Sequence, residues 1–232
     1  LGKKIKIVWC ANKKGAVLRN IILAIPKGRI LNELIPLLKK VDIEPEQEFF
    51  DEKSRKLMFR TNKKNLSIIK VRAFDVATFV ALGAAQIGIA GDDVLNEFDY
   101  DEIYKVLDLG IGKCRLSVAK KINVNKENLQ SNGHIMVATK YKNTVINFFA
   151  NKGVRAECIK LNGAIELAPR LGICSTIVDL VSTGRTLKEN NLRESDVLLE
   201  ITSKLIVNKI SYKIMNSEIS KIITKFSRII NG

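Results

Sequence analysis

Short apolar runs alternate with amphipathic segments along the chain from residue 21 onward. The apolar runs have the length of β-strands and are predicted as strands at residues 21–25, 56–60, 66–71, 86–90, 115–119, 134–138, 156–161, 176–181 and 197–207. Between them, apolar residues recur at helical spacing, which predicts helices at residues 30–41, 76–82, from 94 onward, 141–151, 165–171, 188–192 and 211–230. Strands that alternate with helices are typical of an α/β fold with mainly parallel sheets, covered by helices on both faces.

Two glycines, Gly110 and Gly112, separate the first series of elements from the second. A chain passes between lobes at such places, so we expect residues 21–111 and 199–232 to form lobe I and residues 112–198 to form lobe II. Two α/β lobes joined by narrow crossings leave a cleft between them. In open α/β sheets, ligands bind beyond the carboxyl ends of the strands.

The composition is that of a globular protein. The chain has 232 residues, of which 46% are hydrophobic, and no apolar run approaches the ~18 residues that a membrane helix needs. Residues 1–20 carry lysines before a short apolar run, but Lys6 interrupts that run. We therefore expect a poorly ordered N-terminal extension ahead of the domain rather than a signal peptide, and a cytoplasmic protein without a membrane partner.

Charge and cysteine content narrow the possible partners. The net charge is +15, but the basic residues are spread along the chain rather than gathered with aromatic residues, which disfavours a nucleic-acid surface. The positive net charge is then explained by compositional bias and by polyphosphate ligands. The four cysteines are widely scattered and the chain has a single histidine, His134, so we expect reduced thiols and no metal site formed by the protein.

One loop carries a pattern typical of phosphate binding. The strand predicted at 176–181 is followed by Ser182-Thr183-Gly184 and then by a helix, for which Thr186 and Glu189 have the spacing of a capping box. Free backbone N–H groups and the positive end of a helix dipole converge at such a turn. An ordinary capped connection is the alternative explanation of the same residues.

The side chains of this segment suit a phosphorylated sugar. Hydroxyl groups are offered by Ser182, Thr183 and Thr186, and a cation by Arg185. Gly184 permits close approach of the backbone to a phosphate, and Asp179 is an acceptor suited to ribose hydroxyls. We name residues 179–187 the phosphate loop.

Several motifs in this sequence resemble those of ATP phosphoribosyltransferases, the first enzymes of histidine biosynthesis. The similar segments follow the order of the family and cover nearly all of the chain from residue 21: IPKGR at 25–29, Val71-Arg72 with Asp75, GAAQIGIAG at 83–91 with DVL at 93–95, TKY at 139–141, LNGAIELAP at 161–169 and IVDLVSTGRTL at 177–187. The chain has one helix after the second lobe, so it resembles the short form of the family.

The resemblance implies a two-lobed, periplasmic-binding-protein-like α/β fold and a defined reaction. In that reaction N1 of adenine in ATP joins C1 of 5-phosphoribosyl 1-diphosphate, which releases diphosphate and gives 1-(5-phosphoribosyl)-ATP. It implies Mg²⁺ bound to the substrates, and a regulatory subunit similar to histidyl-tRNA synthetase in a hetero-oligomer. Because adenine N1 already has a free lone pair, we expect catalysis by positioning and charge rather than by an acid or base.

The resemblance also implies which residues contact each substrate. For phosphoribosyl diphosphate they are Asp179, Ser182, Thr183, Gly184, Arg185, Thr186 and Glu166. For ATP and diphosphate they are Lys27, Gly28, Arg29, Arg55, Arg72, Asp93 and Lys140, of which Lys27, Arg29 and Arg72 are the electrostatic candidates. A solvated surface role is the alternative for the basic residues, and a helix-terminal role for Glu166.

Two other functions fit parts of the pattern. Two-lobed α/β proteins also serve as non-catalytic anion- or nucleotide-binding modules, and fold alone does not separate them from enzymes. A phosphoribosyltransferase acting on another base would be expected to have two adjacent acidic residues before the turn, where this chain has Leu180 and Val181.

Overall fold

A computed structural model describes residues 20–122 and 133–232 of the chain. The predicted extension at residues 1–20 lies outside the described residues except for Asn20. The strands are β1 (Ile21–Pro26), β2 (Met58–Arg60), β3 (Leu66–Val71), β4 (Ile87–Gly91), β5 (Ile103–Asp108), β6 (Cys114–Lys121), β7 (His134–Thr139), β8 (Arg155–Lys160), β9 (Thr176–Val181), β10 (Leu192–Ile201) and β11 (Ser203–Asn208). The α-helices are α1 (Arg29–Lys40), α2 (Ala73–Ala81), α3 (Asp92–Phe98), α4 (Lys142–Asn151), α5 (Leu167–Arg170), α6 (Arg185–Glu189), α7 (Lys209–Ile214) and α8 (Asn216–Asn231).

The strands form two sheets. Sheet I has the order β2-β3-β1-β4-β11-β5, and sheet II has the order β10-β6-β9-β7-β8. We use lobe I and lobe II for each sheet with the helices packed on it. The predicted two-lobed α/β fold is confirmed, with one correction: the sheets are mixed, because only four of the nine strand pairings among the described residues are parallel.

Each sheet is buried on both faces, as the alternation of strands and helices predicts. On one face of sheet I, Leu34 and Leu38 of α1 pack with Phe226 of α8, and on the other face Val76 and Val80 of α2 form a second cluster. In lobe II, α4 covers one face of sheet II, and α5 and α6 cover the other. The described residues therefore form four apolar clusters, one on each face of each sheet.

The chain crosses between the lobes twice, and the second crossing corrects a prediction. The strand pattern at 197–207 is two strands, because β10 ends in sheet II at Ile201 and β11 begins in sheet I at Ser203. Apolar side chains continue through the break because both strands enter a core, so the pattern conceals the crossing at Thr202. Thr202 accepts a backbone hydrogen bond from Asp92 at 3.0 Å, which fixes the crossing against lobe I.

Three smaller differences concern element boundaries. The strand β5, which lies at the edge of sheet I, is absent from the predicted elements, because several of its residues are exposed. The helix predicted at 188–192 is α6 and begins at Arg185, and the final helix is divided into α7 and α8 at Met215. Within the described residues, no helix is both long and apolar enough to cross a membrane.

Candidate active site

The predicted site residues follow parallel strands in both sheets. In sheet I, β1 pairs in parallel with β3 and β4, so the segments after these strands, with Lys27, Arg72 and Asp93, lie at one edge. In sheet II, β7 pairs in parallel with β8 and β9, so Lys140 and the phosphate loop also share an edge. Carboxyl ends of parallel strands are where ligands of open α/β sheets bind.

The phosphate loop leaves β9 as a turn of exposed polar residues. Gly184 has φ 75°, in the left-handed region that favours glycine, and it is the last residue before α6. Among the described residues, no turn or loop hydrogen bond uses the N–H of Ser182, Thr183 or Gly184 as its donor. Backbone donors without protein acceptors are available to an anionic ligand or to water.

The predicted capping box is wrong. The N-cap residue is Gly184, which has no side chain, and Thr186 lies inside α6. Arg185 instead pairs with Glu189, four residues later, at 2.8 Å between Nε and Oε1, and its side chain is 85% exposed. Since α6 has only five residues, the free N–H groups of the turn matter more for anion binding than a helix dipole.

Asp179 is half-buried beside this turn, at the fourth position of β9. Burial, together with the neighbouring charge of Glu166, raises the pKa of its carboxyl to about 6, against the opposing effect of the Leu180 N–H and Lys140. The Leu180 N–H donates to Oδ1 at 2.8 Å. Oδ2 therefore remains available for a hydroxyl donor, as the predicted contact with ribose requires.

Lys140 links the two lobes electrostatically. Burial lowers the pKa of its ammonium, while Asp93 and Asp75 of lobe I and Asp179 of lobe II act in the opposite direction. Its Nζ lies 3.6 Å from the centroid of the Phe74 ring, a cation–π contact with α2. Lys140, which follows β7 of lobe II, therefore contacts α2 of lobe I directly, and the segments that follow β7 and β3 lie side by side.

The basic loop of lobe I precedes a helix with an open N-terminus. Gly28 has φ 90°, and the position that a Cβ would occupy there meets open space. The first turn of α1 has no acidic residue, and the flanking Lys27 and Arg29 are exposed. Two cations lie at the positive end of this helix dipole, and the Glu33 carboxylate, 3.9 Å from Arg29, offsets only part of their charge. The arrangement suits a diphosphate or triphosphate.

Arg29 also holds one of the crossings between the lobes. Its Nη2 and Nη1 donate to the carbonyl oxygens of Gly112 at 3.1 Å and Lys113 at 3.3 Å, while Glu33 accepts from the Gly112 N–H at 2.7 Å. The Arg29 side chain remains 49% exposed. It therefore supports the backbone between the lobes and keeps part of its guanidinium at the surface.

Asp93 is bound by the protein rather than open to the cleft. The residue is 7% exposed, and its Oδ2 accepts a hydrogen bond at 2.8 Å from the hydroxyl of Tyr141 in lobe II. Burial raises the pKa of Asp93, and the Tyr141 hydroxyl opposes that rise. The geometry gives Asp93 a structural contact between the lobes, in addition to its electrostatic interaction with Lys140.

Glu97 forms a second contact of the same kind, one turn further along α3. Its carboxylate accepts hydrogen bonds at 3.0 Å from the N–H groups of Asn143 and Thr144 and at 2.9 Å from the Thr144 hydroxyl. These groups begin α4, so a carboxylate of lobe I caps a helix of lobe II. We name Asp93, Glu97 and their partners on residues 141–144 the inter-lobe junction.

The remaining predicted residues lie around the same edges. Arg72 is exposed at the N-cap position of α2 and interacts electrostatically with Lys140. Glu166 is half-buried before α5 and interacts with Asp179. Arg55 is exposed three residues before β2, whose first residue, Met58, pairs with Ile69 of β3. No contact among the described residues joins Arg55 to the other predicted residues.

Two acidic side chains of the candidate site interact with one another. No group of three or more histidine, cysteine or acidic side chains within the described residues could hold a metal ion. Asp179 and Glu166 interact with one another, and carboxylate oxygens suit a hard cation that also binds a diphosphate. The donor set therefore fits a metal that enters with its substrate.

Sequence reasoning missed the roles of Tyr141 and Glu97. Tyr141 is 2% exposed and donates to Asp93 from the lobe II side of the junction, whereas the sequence marks it only as part of the TKY motif at 139–141. Glu97 is 6% exposed within the amphipathic pattern of α3. An acidic residue four positions after Asp93, on the same helix face, was the available signal.

Comparison with known proteins identifies the family. A family model described as ATP phosphoribosyltransferase matches residues 72–228, which is more than half of the chain. The chain belongs to the ATP phosphoribosyltransferase family. Among curated ATP phosphoribosyltransferases, that of Sphingopyxis alaskensis is 55% identical over 210 residues, covering 90% of this chain and 94% of the relative. That of Paramagnetospirillum magneticum is 53% identical over 213 residues, covering 91% and 97%.

Solved structures agree with this assignment. An ATP phosphoribosyltransferase (HisG:HisZ) complex from Thermotoga maritima contains a chain that is 31% identical to this one, with a TM-score of 0.77, covering 91% of this chain and 98% of that chain. The periplasmic VFT2 domain of Bordetella pertussis BvgS is 11% identical, with a TM-score of 0.52, covering 90% and 92%. The second likeness concerns the fold alone, which ATP phosphoribosyltransferases share with a periplasmic two-lobed domain.

Proposed function

We propose that this chain is the catalytic subunit that joins ATP to 5-phosphoribosyl 1-diphosphate in the first step of histidine biosynthesis. The enzyme class is pentosyltransferase. The observation that carries the proposal is the position of Lys140, which interacts with Asp179 beside the phosphate loop and with Asp93 and Asp75 of lobe I. One cleft thus contains an anion-binding turn on one side and basic residues on the other.

Phosphoribosyl diphosphate occupies lobe II in this proposal. The N–H groups and hydroxyls of residues 182–184 bind a phosphate, supported by Arg185 and Thr186, and Asp179 accepts from a ribose hydroxyl. Glu166, which interacts with Asp179, lies near the same sugar or its metal. The exposed hydroxyls and the free acceptor oxygen of Asp179 support this orientation.

ATP and the departing diphosphate lie against lobe I. Lys27, Gly28 and Arg29 at the start of α1, with Arg72 at the start of α2, bind these anions in this proposal. Their exposure and their position after the parallel strands β1 and β3 support it. Lys140 stands between the two substrates, and Arg55 reaches the same edge from the segment before β2. Asp93 contributes through Lys140 and Tyr141, since its own carboxylate is buried.

The chemistry follows from this distribution of charge. N1 of adenine attacks C1 of the ribose, the bond from C1 to the diphosphate oxygen breaks, and the electron pair leaves with diphosphate. The cationic side chains hold the two anionic substrates together and stabilise the charge that develops on the leaving group. Metal dependence is expected, and Mg²⁺ on the diphosphate would neutralise part of that charge.

The partner and the compartment are part of the proposal. We expect a regulatory subunit of the kind present in the HisG:HisZ complex of Thermotoga maritima, similar to histidyl-tRNA synthetase, in a hetero-oligomer. We expect the cytoplasm as the compartment, since Cys114, Cys158 and Cys174 are free thiols.

The test is an assay of diphosphate release with ATP, phosphoribosyl diphosphate and Mg²⁺, with and without the HisZ-like partner. We expect turnover that requires both substrates and increases with the partner. Omission of each substrate in turn is the control. No turnover under either condition, together with retained binding of phosphoribosyl diphosphate, would favour the non-catalytic binding module.

A further inference from the structure

A row of polar side chains crosses sheet II beside the phosphate loop. In the antiparallel pairing of β6 with β9, Arg115 lies opposite Val181 and Ser117 lies opposite Asp179. Residues directly opposite one another in an antiparallel pair project to the same face of the sheet. Arg115 and Ser117 therefore share the face of Asp179, yet neither belongs to a predicted substrate contact.

Glu194 of β10 fixes both of these side chains. Its Oε1 and Oε2 accept from Nε and Nη2 of Arg115 at 2.5 and 2.6 Å, and Oε1 also accepts from the Ser117 hydroxyl at 2.7 Å. Ser117 is fully buried, and the Arg115 hydrogen bond, with help from Ser117, lowers the pKa of the Glu194 carboxyl. A planar guanidinium held at two nitrogens by one carboxylate has a fixed orientation.

The third nitrogen of Arg115 reaches the phosphate loop. Nη1 donates to the carbonyl oxygen of Ser182, the first residue after β9, at 3.3 Å. The structure has no cis peptide bond among its described residues, so the Ser182 carbonyl and the Thr183 N–H point in opposite directions from one peptide plane. A carbonyl held toward Arg115 thus directs the Thr183 N–H away from it.

We propose that Arg115, oriented by Glu194, is a positioning residue that sets the Ser182–Thr183 peptide so that its N–H is presented to the phosphate of phosphoribosyl diphosphate. The inference rests on the proposed function, because it assigns that substrate to the loop. Arg115 makes no contact with the reacting atoms in this scheme. Its effect is on the affinity of one substrate.

The conservative variants are Arg115→Lys and Glu194→Gln. Lysine keeps the charge of Arg115 but cannot hold Glu194 with two nitrogens while a third reaches Ser182. Glutamine keeps the shape of Glu194 and removes the charge that orients the guanidinium. We expect the KM for phosphoribosyl diphosphate to rise about 10-fold in Arg115→Lys and by a smaller factor in Glu194→Gln. The KM for ATP should remain unchanged in both.

The matched control is Lys152→Ala. It removes an ion pair of 2.8 Å between Lys152 and Asp196, which lies on the same strand as Glu194 but does not contact the loop. We expect unchanged KM values for both substrates in this variant. Circular dichroism and chemical unfolding of all variants confirm that the comparison is made between folded proteins.

Direct titration with phosphoribosyl diphosphate, without ATP, separates this inference from the proposed function. The inference is supported if the wild-type protein binds phosphoribosyl diphosphate and Arg115→Lys binds it more weakly. If both proteins bind it with the same affinity, the positioning role of Arg115 is overturned while the proposed function stands. Equal increases in the KM values for both substrates would also overturn that role. A wild-type protein that binds no phosphoribosyl diphosphate would overturn the proposed function and this inference together.

Discussion

The inter-lobe junction and the phosphate loop satisfy their polar groups in opposite ways. At the junction, the carboxylates of Asp93 and Glu97 are buried and accept hydrogen bonds from the other lobe. In the phosphate loop, Ser182 and Thr183 are exposed and their N–H groups donate to no turn or loop acceptor among the described residues. Groups bound by the protein stabilise the fold, whereas groups without protein partners are available to a ligand.

Two acidic residues sharpen this contrast. Burial raises the pKa of both Asp93 and Asp179. Asp93 accepts a hydrogen bond from the Tyr141 hydroxyl of the other lobe in addition to one from the neighbouring Val94 N–H, whereas the hydrogen bond to Asp179 comes from the N–H of its own neighbour, Leu180. A raised pKa therefore does not distinguish a structural carboxylate from a ligand-binding one, but the source of its hydrogen bonds does.

The largest expected effect is a loss of stability at the junction. Glu97→Ala removes the acceptor of two N–H groups and one hydroxyl at the start of α4, so the free energy of unfolding should fall by about 2–3 kcal/mol. Chemical unfolding measures the change. Glu97→Gln should lose about half as much, since an amide keeps one acceptor oxygen.

The matched control for Glu97 is Glu157→Ala. Glu157 has a side chain that is 63% exposed and pairs only with His134 among the described residues, at 3.3 Å. Its replacement should change the free energy of unfolding by no more than about 0.5 kcal/mol. Equal losses in the two alanine variants would remove the distinction between a junction and an ordinary surface carboxylate.

The second effect concerns activity rather than stability. Asp179→Asn should lower kcat/KM for phosphoribosyl diphosphate by about 10- to 100-fold, because a charged acceptor for a ribose hydroxyl is lost. The free energy of unfolding should not fall, because burial already disfavours the charged form. Asp196→Asn is the kinetic control, because it changes an aspartate of β10 that pairs with Lys152, and its kcat/KM should equal that of the wild type. A stability loss without a kinetic change would place Asp179 with the junction residues.

The smallest effect is a pH dependence with opposite signs for stability and activity. The pKa of Asp179 is raised from 3.8 to about 6, so its contribution to stability is present at low pH and is lost as the pH rises through about 6. Substrate binding requires the charged form, so kcat/KM should fall as the pH decreases through the same range.

Measurements between pH 4 and 8 on wild type and Asp179→Asn test this pH dependence, because the stability change falls between the ordinary pKa of 3.8 and the raised pKa of about 6. The difference in unfolding free energy should change by at most about 1.4 kcal/mol per pH unit. The phosphate groups of the substrate also titrate near pH 6, which is why the variant is the reference. If kcat/KM and the unfolding free energy depend on pH in the same way in both proteins, Asp179 is not the titrating group that binds the substrate.

Local periodicity predicted most of the fold, because most elements have one buried face. It failed for β5 at the sheet edge, where Tyr104 and Lys105 are exposed, and at Thr202, where buried strands of different sheets adjoin. A hydrophobic pattern indicates that a strand is buried, but it does not indicate to which sheet the strand belongs. The lobe boundary is predicted from the sequence between residues 198 and 199, and the pairing of β10 with β6 and of β11 with β4 and β5 places the change of sheet at Thr202.

The candidate site was predictable where local sequence determines local structure. The turn at Gly184 and the open helix start at Gly28 follow from their own segments. The partners of Asp93, Glu97 and Arg115 come from residues 46 to 79 positions away, and no local pattern contains them. The contacts of Asp93 and Glu97 depend on how the two lobes pack, and that of Arg115 depends on the pairing of β6 with β10 inside sheet II. A single sequence specifies neither.

The strand order of sheet I constrains the order in which the protein folds during synthesis. β11 lies between β4 and β5, yet it follows β5 in sequence with all of sheet II in between. The ribosome adds about 5–20 residues per second, so β4 and β5 wait roughly 5–20 s for the strand that joins them. Sheet II is continuous from Cys114 to Ile201 and needs no later strand. The second lobe can therefore fold before the first is complete, and the exposed edge of β4 is where a nascent chain is most open to aggregation or chaperone binding.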